Sequence, residues 1–204
     1  MKYRLAALLA ANACLAVTVA FAADNPAVMK AAETKATRTC QDCHGSKGDS
    51  VSATYPRLNG QQADYITAQL KNFRDHSRAD PHAQAFMWGM ASQLDDAIIV
   101  ELGKYYAGQT PTPPQSGGAL AADGKKLYLT GAPAQSVPAC VTCHGAHGEG
   151  NSIIPRLAGQ HADYLKKQLE AFRSTLRDSD IMHANTKDMT DSQIEALVSY
   201  LAND

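Results

Sequence analysis

The chain has 204 residues, of which 45% are hydrophobic and 19% are charged, a balance typical of a globular protein rather than a disordered one. Its 19 Lys and Arg nearly balance its 20 Asp and Glu, so the basic excess that marks most nucleic-acid-binding proteins is absent. The 14 Gly and 9 Pro follow no short period, which excludes collagen-like and low-complexity sequences.

The N-terminal residues 1–22 have the pattern of a secretory signal peptide. A basic start is followed by mostly apolar residues 5–19 and by a small-x-small pattern that ends at Ala20 and Ala22. We therefore predict cleavage near Ala22 and export to the periplasm, with an N-terminal membrane anchor as the alternative. Cys14 lies inside this segment and is expected to be removed with it. Beyond the first 23 residues no apolar run reaches the length of about 18 residues that a membrane span needs.

The other four cysteines form two copies of one motif. Each pair has the spacing C-x-x-C and is followed at once by a histidine: Cys40, Cys43 and His44, then Cys140, Cys143 and His144. C-x-x-C-H is the attachment signature of c-type haem, because two thiols one helical turn apart can each bond a porphyrin vinyl group while the adjacent imidazole binds the iron. Two motifs predict two covalently bound haem c groups. The alternatives are two redox-active cysteine pairs and one four-cysteine zinc site, but a redox pair does not require the histidine twice.

The similarity of the two halves extends beyond these motifs. The segment YPRLNGQ at residues 55–61 recurs as IPRLAGQ at residues 154–160. Such self-similarity indicates a tandem duplication. A segment rich in Gly and Pro separates the copies and predicts a linker. The predicted boundaries are a first domain at residues 23–108, a linker at 109–119 and a second domain at 120–204.

Apolar periodicity predicts that both copies are mostly helical. A helix at residues 28–43 leads into the first motif, whereas in the second copy a helix at 121–129 is followed by a break at 131–138. A second helix in each copy is predicted at residues 62–74 and 162–173.

The last helix of each copy is predicted to bury an apolar stripe: Ile98, Ile99, Leu102 and Tyr105 in the first, and Ile194, Leu197, Val198 and Leu201 in the second. Thr190 followed by Gln193 has the pattern of a capping box that starts the final helix.

The repeat also indicates which residues bind iron on the distal side, where His, Met or an open position is expected. Leu94 and Met189 occupy corresponding positions before the last helix, and seven residues before them lie Met87 and Met182. These aligned methionines are the predicted distal ligands, although a single Met is more often core filling. The histidine alternatives do not recur in register, and His183 beside Met182 is the strongest of them in the second copy: His76, His82, His147, His161 and His183.

The recurring proline and arginine have predicted supporting roles. The carbonyl of Pro56 or Pro155 can accept the Nδ1 hydrogen of the proximal histidine and so fix its tautomer. Arg57 and Arg156 can pair with haem propionates. The alternatives are a proline that only shapes a turn and an arginine that is exposed to solvent.

Two C-x-x-C-H motifs, the repeated P-R-L-x-G-Q segments and the aligned methionines in a duplicated helical chain resemble the cytochrome c4 family of exported two-haem electron carriers. The resemblance implies an all-α fold of two tandem cytochrome c-like domains, each wrapped around one covalently attached haem, with the propionate edges meeting at the domain interface. It also implies two ligand sets, which are Cys40, Cys43, His44 and Met87 for the first haem and Cys140, Cys143, His144 and Met182 for the second.

The resemblance implies a periplasmic electron carrier with no catalytic residues. Its expected partners are redox proteins, namely a respiratory donor in the membrane and a terminal oxidase or other acceptor, with loose membrane association and no nucleic acid. One alternative is the cytochrome subunit of a flavin-containing sulfide dehydrogenase, which would have the same ligands. Another is a dihaem enzyme such as a peroxidase, which needs an iron site that is open or can open.

Overall fold

The computed structural model describes residues 25–115, 117 and 119–202. The predicted signal peptide at residues 1–22 therefore lies outside the described residues. Within them the secondary structure is helical, with isolated β-bridges and no β-strand. None of the described helices combines the length and the apolar character needed to cross a lipid bilayer.

The described residues of the first domain form five α-helices: α1 (Pro26–Lys35), α2 (Gln41–His44), α3 (Ala63–Arg74), α4 (Trp88–Ala91) and α5 (Asp96–Ala107). A π-helical segment, Ala36–Cys40, joins α1 to α2, so the helix predicted at residues 28–43 is continuous in direction but not in hydrogen-bonding pattern. A second π-helical segment, Ala83–Met87, leads into α4. Both π-helical segments end at a residue predicted to hold the first haem, and such segments are frequent at functional sites.

The second domain repeats this order with α6 (Ala121–Thr130), α7 (Val141–His144), α8 (Ala162–Arg173), α9 (Asp180–Thr186) and α10 (Asp191–Leu201). The predicted break after α6 is confirmed. It begins at Gly131, whose φ of +66° is strained for other residues, and a 3₁₀ turn at Pro133–Gln135 follows before the chain reaches the second C-x-x-C-H motif.

The core of each domain forms where its last helix crosses its first helix and packs beside the middle helix. The burial of all four residues predicted for α10 is confirmed. In α5 the predicted burial of Ile99 and Leu102 is confirmed, whereas Ile98 and Tyr105 are only half-buried. Tyr106 is buried in place of Tyr105, whose hydroxyl donates to the Ser46 carbonyl at 2.9 Å. Tyr106 follows Leu102 by four residues, so it returns to the same face of the helix.

The final helix begins with the predicted capping box. The Gln193 N–H donates to Thr190 Oγ1 at 3.2 Å, and the Thr190 N–H donates to Gln193 Oε1 at 2.9 Å. In the first domain Asp95 caps α5 in a simpler way, by accepting the Ile98 N–H at 2.8 Å. These caps satisfy amide groups that the first turn leaves free and fix where the last helix of each domain starts.

The two domains bind each other through the repeated P-R-L-x-G-Q segments. The Gln160 side chain accepts the Arg57 N–H at 2.8 Å and donates to the Arg57 carbonyl at 2.9 Å. In the reverse direction, Gln61 accepts the Arg156 N–H at 2.7 Å and donates to its carbonyl at 2.9 Å. The same surface of each copy therefore recognises the other, as in the isologous interface of a symmetric dimer.

Neighbouring residues extend this reciprocal contact. Gln62 donates to the Glu149 carbonyl at 2.8 Å, and the residue at the corresponding position, His161, contacts the Ser50 carbonyl through Nε2 at 2.8 Å. Because a carbonyl can only accept, both side chains act as donors to the opposite domain.

The connecting segment is held against the domains. Asn59 of the first domain donates to the Thr110 carbonyl at 2.8 Å and to Thr112 Oγ1 at 2.9 Å. The Gln115 N–H donates to the Ala202 carbonyl of the second domain at 3.0 Å. The described residues of the linker therefore form hydrogen bonds with both domains.

We predict that Gly124→Ala destabilises the second domain by about 1–3 kcal/mol, because the added Cβ would overlap the Ala196 carbonyl where α6 crosses α10. Urea denaturation of the haem-loaded protein measures the change. The control is Gly89→Ala in α4, where no heavy atom lies within 4 Å of the added Cβ and stability should be kept or slightly raised. Equal midpoints for the two variants would contradict the close helix crossing.

Candidate functional site

A cavity of about 920 Å³ lies between the domains and is lined by residues of both. This is near the upper end of the range of about 300–1,000 Å³ that is usual for small-molecule sites. The apolar faces of α3 and α8 form much of its walls. All eight residues predicted to hold haem line this cavity: Cys40, Cys43, His44, Met87, Cys140, Cys143, His144 and Met182.

The two proximal histidines end the short helices α2 and α7 and are buried, with 7% of His44 and 8% of His144 exposed. Nδ1 of His44 lies 2.9 Å from the Pro56 carbonyl oxygen, and Nδ1 of His144 lies 3.0 Å from that of Pro155. Since the carbonyl can only accept, Nδ1 carries the hydrogen and Nε2 keeps the lone pair that binds a metal. The predicted role of the two proline carbonyls is therefore confirmed.

The histidine environment also favours the neutral form of the ring. Burial lowers the pKa of both imidazoles, and the hydrogen bond to the proline carbonyl opposes this only in part. A neutral imidazole is the form that binds iron, so the site does not have to remove a proton before ligation.

Of the four cysteines, Cys40 and Cys140 are half-buried and Cys43 and Cys143 are exposed. Burial raises the pKa of Cys140 to about 11 and also raises the pKa of Cys40, so neither is an activated thiolate. Across residues 25–115, 117 and 119–202, no group of three or more His, Cys, Asp or Glu is placed to hold a metal ion, which disfavours the four-cysteine zinc site. Thiols at the cavity rim fit thioether bonds to a porphyrin better than they fit metal ligation.

The predicted distal methionines are half-buried, Met87 at the end of its π-helical segment and Met182 in the first turn of α9. Two other methionines also line the cavity, but Met90 is 57% exposed and Met189 is packed in the second core.

Of the histidine alternatives only His82 lines the cavity. His76 stacks on Trp88 at 4.0 Å between ring centroids, and His161 is occupied at the domain interface. His183, the strongest alternative in the second copy, does not line the cavity, and its Nδ1 lies 3.0 Å from the Phe172 carbonyl. Met87 and Met182 both line the cavity, and methionine as the distal ligand stays a prediction.

Two buried arginines that the sequence pattern did not single out also line the cavity. Arg78 is 7% exposed and Arg177 is 6% exposed, and they come from corresponding positions of the two copies. Each donates to Gln69 Oε1 and to Gln168 Oε1, so two guanidinium groups share two amide oxygens. Their recurrence at the same offset as the two glutamines is the signal that could have revealed them.

The charges of this cluster do not balance within the described residues. Asp80 is buried and pairs with Arg78 at 3.1 Å, whereas Arg177 forms no ion pair with any described carboxylate. Two buried cations and one buried anion leave net positive charge beside an otherwise apolar cavity, which is costly unless another anion compensates it. The carboxylates of haem propionates would supply that charge, so the residues present fit the group.

The arginines predicted to pair with propionates also line the cavity, but they already bind main-chain groups. Arg57 donates to the Gly159 carbonyl and Arg156 donates to the Ala158 carbonyl, both at 3.0 Å. Their pairing with propionates stays a prediction.

The chain is similar to known cytochromes over most of its length. A family model described as cytochrome c matches residues 29–105 and again residues 121–203. Cytochrome c4 from Thiocapsa roseopersicina is 40% identical over 178 residues, which are 84% of this chain and 90% of the relative. A protein of Thiomonas intermedia (strain K12) named thiosulfate dehydrogenase electron acceptor is 38% identical over 173 residues, 80% of this chain and 77% of the relative.

The fold comparison agrees with the sequence comparison. The solved structure of cytochrome c4 from Acidithiobacillus ferrooxidans matches with a TM-score of 0.75 at 40% identity, covering 79% of this chain and 96% of that one. The predicted all-α architecture of two tandem cytochrome c domains is confirmed, as is the prediction of two covalently bound haem c groups. The chain belongs to the cytochrome c family, as a two-haem electron-transfer protein of the cytochrome c4 type.

Proposed function

We propose that the protein is a periplasmic electron carrier in which each haem iron is bound by one histidine and one methionine. It has no catalytic residues of its own. The domains are residues 23–108 and 120–204, and residues 1–22 direct export. The proposed sets are Cys40, Cys43, His44 and Met87 for the first haem, and Cys140, Cys143, His144 and Met182 for the second.

The observation that carries this proposal is the single cavity shared by both ligand sets. Electron transfer slows steeply with distance, so two groups held in one cavity exchange electrons more readily than two groups in separate pockets. When bound, the haem supplies a one-electron iron couple whose potential methionine ligation raises. His44 with Met87 and His144 with Met182 would hold the two groups without leaving an open position on iron, and the mostly apolar lining would suit electron transfer better than substrate turnover.

The proposed partners are redox proteins that contact the molecule briefly, through a small interface near a haem edge. We propose a donor in the respiratory membrane and a terminal oxidase or other acceptor. The relative named thiosulfate dehydrogenase electron acceptor supports an oxidising enzyme as another donor.

We predict that Met87→Ala and Met182→Ala each remove one of the two charge-transfer bands that methionine ligation gives ferric haem in the near infrared. The altered iron should also bind carbon monoxide when reduced, since its distal position is open. Visible and near-infrared spectra of the oxidised and reduced protein measure both effects. Met90→Leu is the matched control, because Met90 lines the cavity but is exposed, and it should keep both bands. Loss of a band in the control would reassign the ligand of the first haem.

We predict that the unaltered protein takes up two electrons per chain and does not bind carbon monoxide. The double variant Cys140→Ala with Cys143→Ala should take up one electron and lose the mass of one haem, because the second haem is no longer attached. Coulometric titration with mass spectrometry tests both statements. High-spin spectra or carbon monoxide binding by the unaltered protein would favour an enzyme with an open iron site.

A further inference from the structure

In each domain, one peptide group takes part in two hydrogen bonds, one that orients the proximal histidine and one that joins the domains. The Pro56 carbonyl accepts from His44 Nδ1 at 2.9 Å, and the N–H of the same peptide unit, that of Arg57, donates to Gln160 Oε1 at 2.8 Å. The line of contacts therefore runs from the histidine of the first haem, through one peptide, to a side chain of the second domain.

The second domain repeats the same line in the opposite direction. His144 donates to the Pro155 carbonyl at 3.0 Å, and the Arg156 N–H donates to Gln61 Oε1 at 2.7 Å. Both glutamines are buried, each 7% exposed, so water does not compete for these bonds. The orientation of each amide is fixed, because its nitrogen donates to the carbonyl of the same arginine whose N–H its oxygen accepts.

We propose that Gln160 tunes the reduction potential of the first haem and that Gln61 tunes that of the second, so each domain adjusts the haem of the other. An acceptor on the peptide N–H polarises the peptide and makes its carbonyl oxygen a stronger acceptor. The stronger acceptor draws the Nδ1 hydrogen and raises the basicity of the histidine toward iron. A more basic ligand stabilises ferric over ferrous iron, so the glutamine lowers the potential.

This inference rests on the proposed function, because it requires histidine-ligated haem in both domains. It assigns a positioning role to two residues that touch neither the iron nor its ligands. In each domain the glutamine lies a few residues after the arginine that the other domain's glutamine binds. Docking of the domains therefore forms both lines of hydrogen bonds together.

The test is a redox titration of the two-haem holoprotein in which proton NMR resonances of the two proximal histidines and haems are followed separately. Gln160→Ala should raise the potential of the first haem, changing its oxidised-to-reduced ratio about threefold, which is about 30 mV at 59 mV per tenfold for one electron. The potential of the second haem should move less than half as much. Gln61→Ala should give the converse pattern, and the Nδ1 proton resonance should shift in the same domain as the potential.

Gln62→Ala is the matched control, because it removes one interdomain hydrogen bond, to the Glu149 carbonyl, that does not lie on either line. It should leave both potentials nearly unchanged. If it reproduces the shifts of the other variants, general loosening of the interface explains them and the proposal is overturned. The same conclusion follows if Gln160→Ala moves both haems equally or moves neither.

Gln160→Glu provides a second measurement should the alanine variant fold poorly. It keeps an oxygen acceptor and adds negative charge, so the first haem should shift to lower potential, opposite in sign to the alanine variant. A shift to higher potential would overturn the proposal. Failure of the proposed function would instead appear in the unaltered protein, as a missing haem or a high-spin iron, before any variant is compared.

Discussion

The whole arrangement depends on burying two like-charged guanidinium groups where the domains meet. Arg78 and Arg177 would repel each other strongly in a poorly solvated interior. They are held because Gln69 and Gln168 each offer one oxygen to both, and because each guanidinium lies over a phenylalanine ring of its own domain. The glutamines project from α3 and α8, so these helices must face each other, and the cavity between them must be shared.

Periodicity made most of the fold predictable. The bounds of α8, the break after α6 and the buried face of α10 follow from apolar spacing and from Gly and Pro, which act locally. Apolar spacing did not distinguish which of Tyr105 and Tyr106 is buried. They follow Leu102 by three and four residues, so both fit the apolar stripe. Only the tertiary structure shows that the Tyr105 hydroxyl donates to the Ser46 carbonyl while Tyr106 is buried.

The functional site, like the fold, was predictable from the sequence only in part. Cysteine and histidine positions were predictable because one short motif must supply both thioether bonds and an iron ligand. Arg78 and Arg177 were harder to predict, because a single arginine beyond the end of a helix generally indicates a solvated side chain and only their recurrence marks them. The reciprocal role of the P-R-L-x-G-Q segment was also hidden. A repeat shows that two segments are alike, but nothing in the sequence shows that the two copies bind each other.

The two copies share the glutamines that bind across the interface, while some residues that act within one domain differ. Gln61 and Gln160 match and make equivalent bonds to the opposite domain. The arginine side chains do not, because Arg57 binds a carbonyl of the opposite domain and Arg156 binds one of its own. Asp80 and Ser179 act within their own domains, one pairing with Arg78 and the other capping α9, and they differ in charge. Gln62 and His161 differ in type, yet each donates a side-chain N–H to a carbonyl of the other domain. The two copies therefore match where Gln61 and Gln160 bind the opposite arginine, and they differ in charge where Asp80 pairs with Arg78.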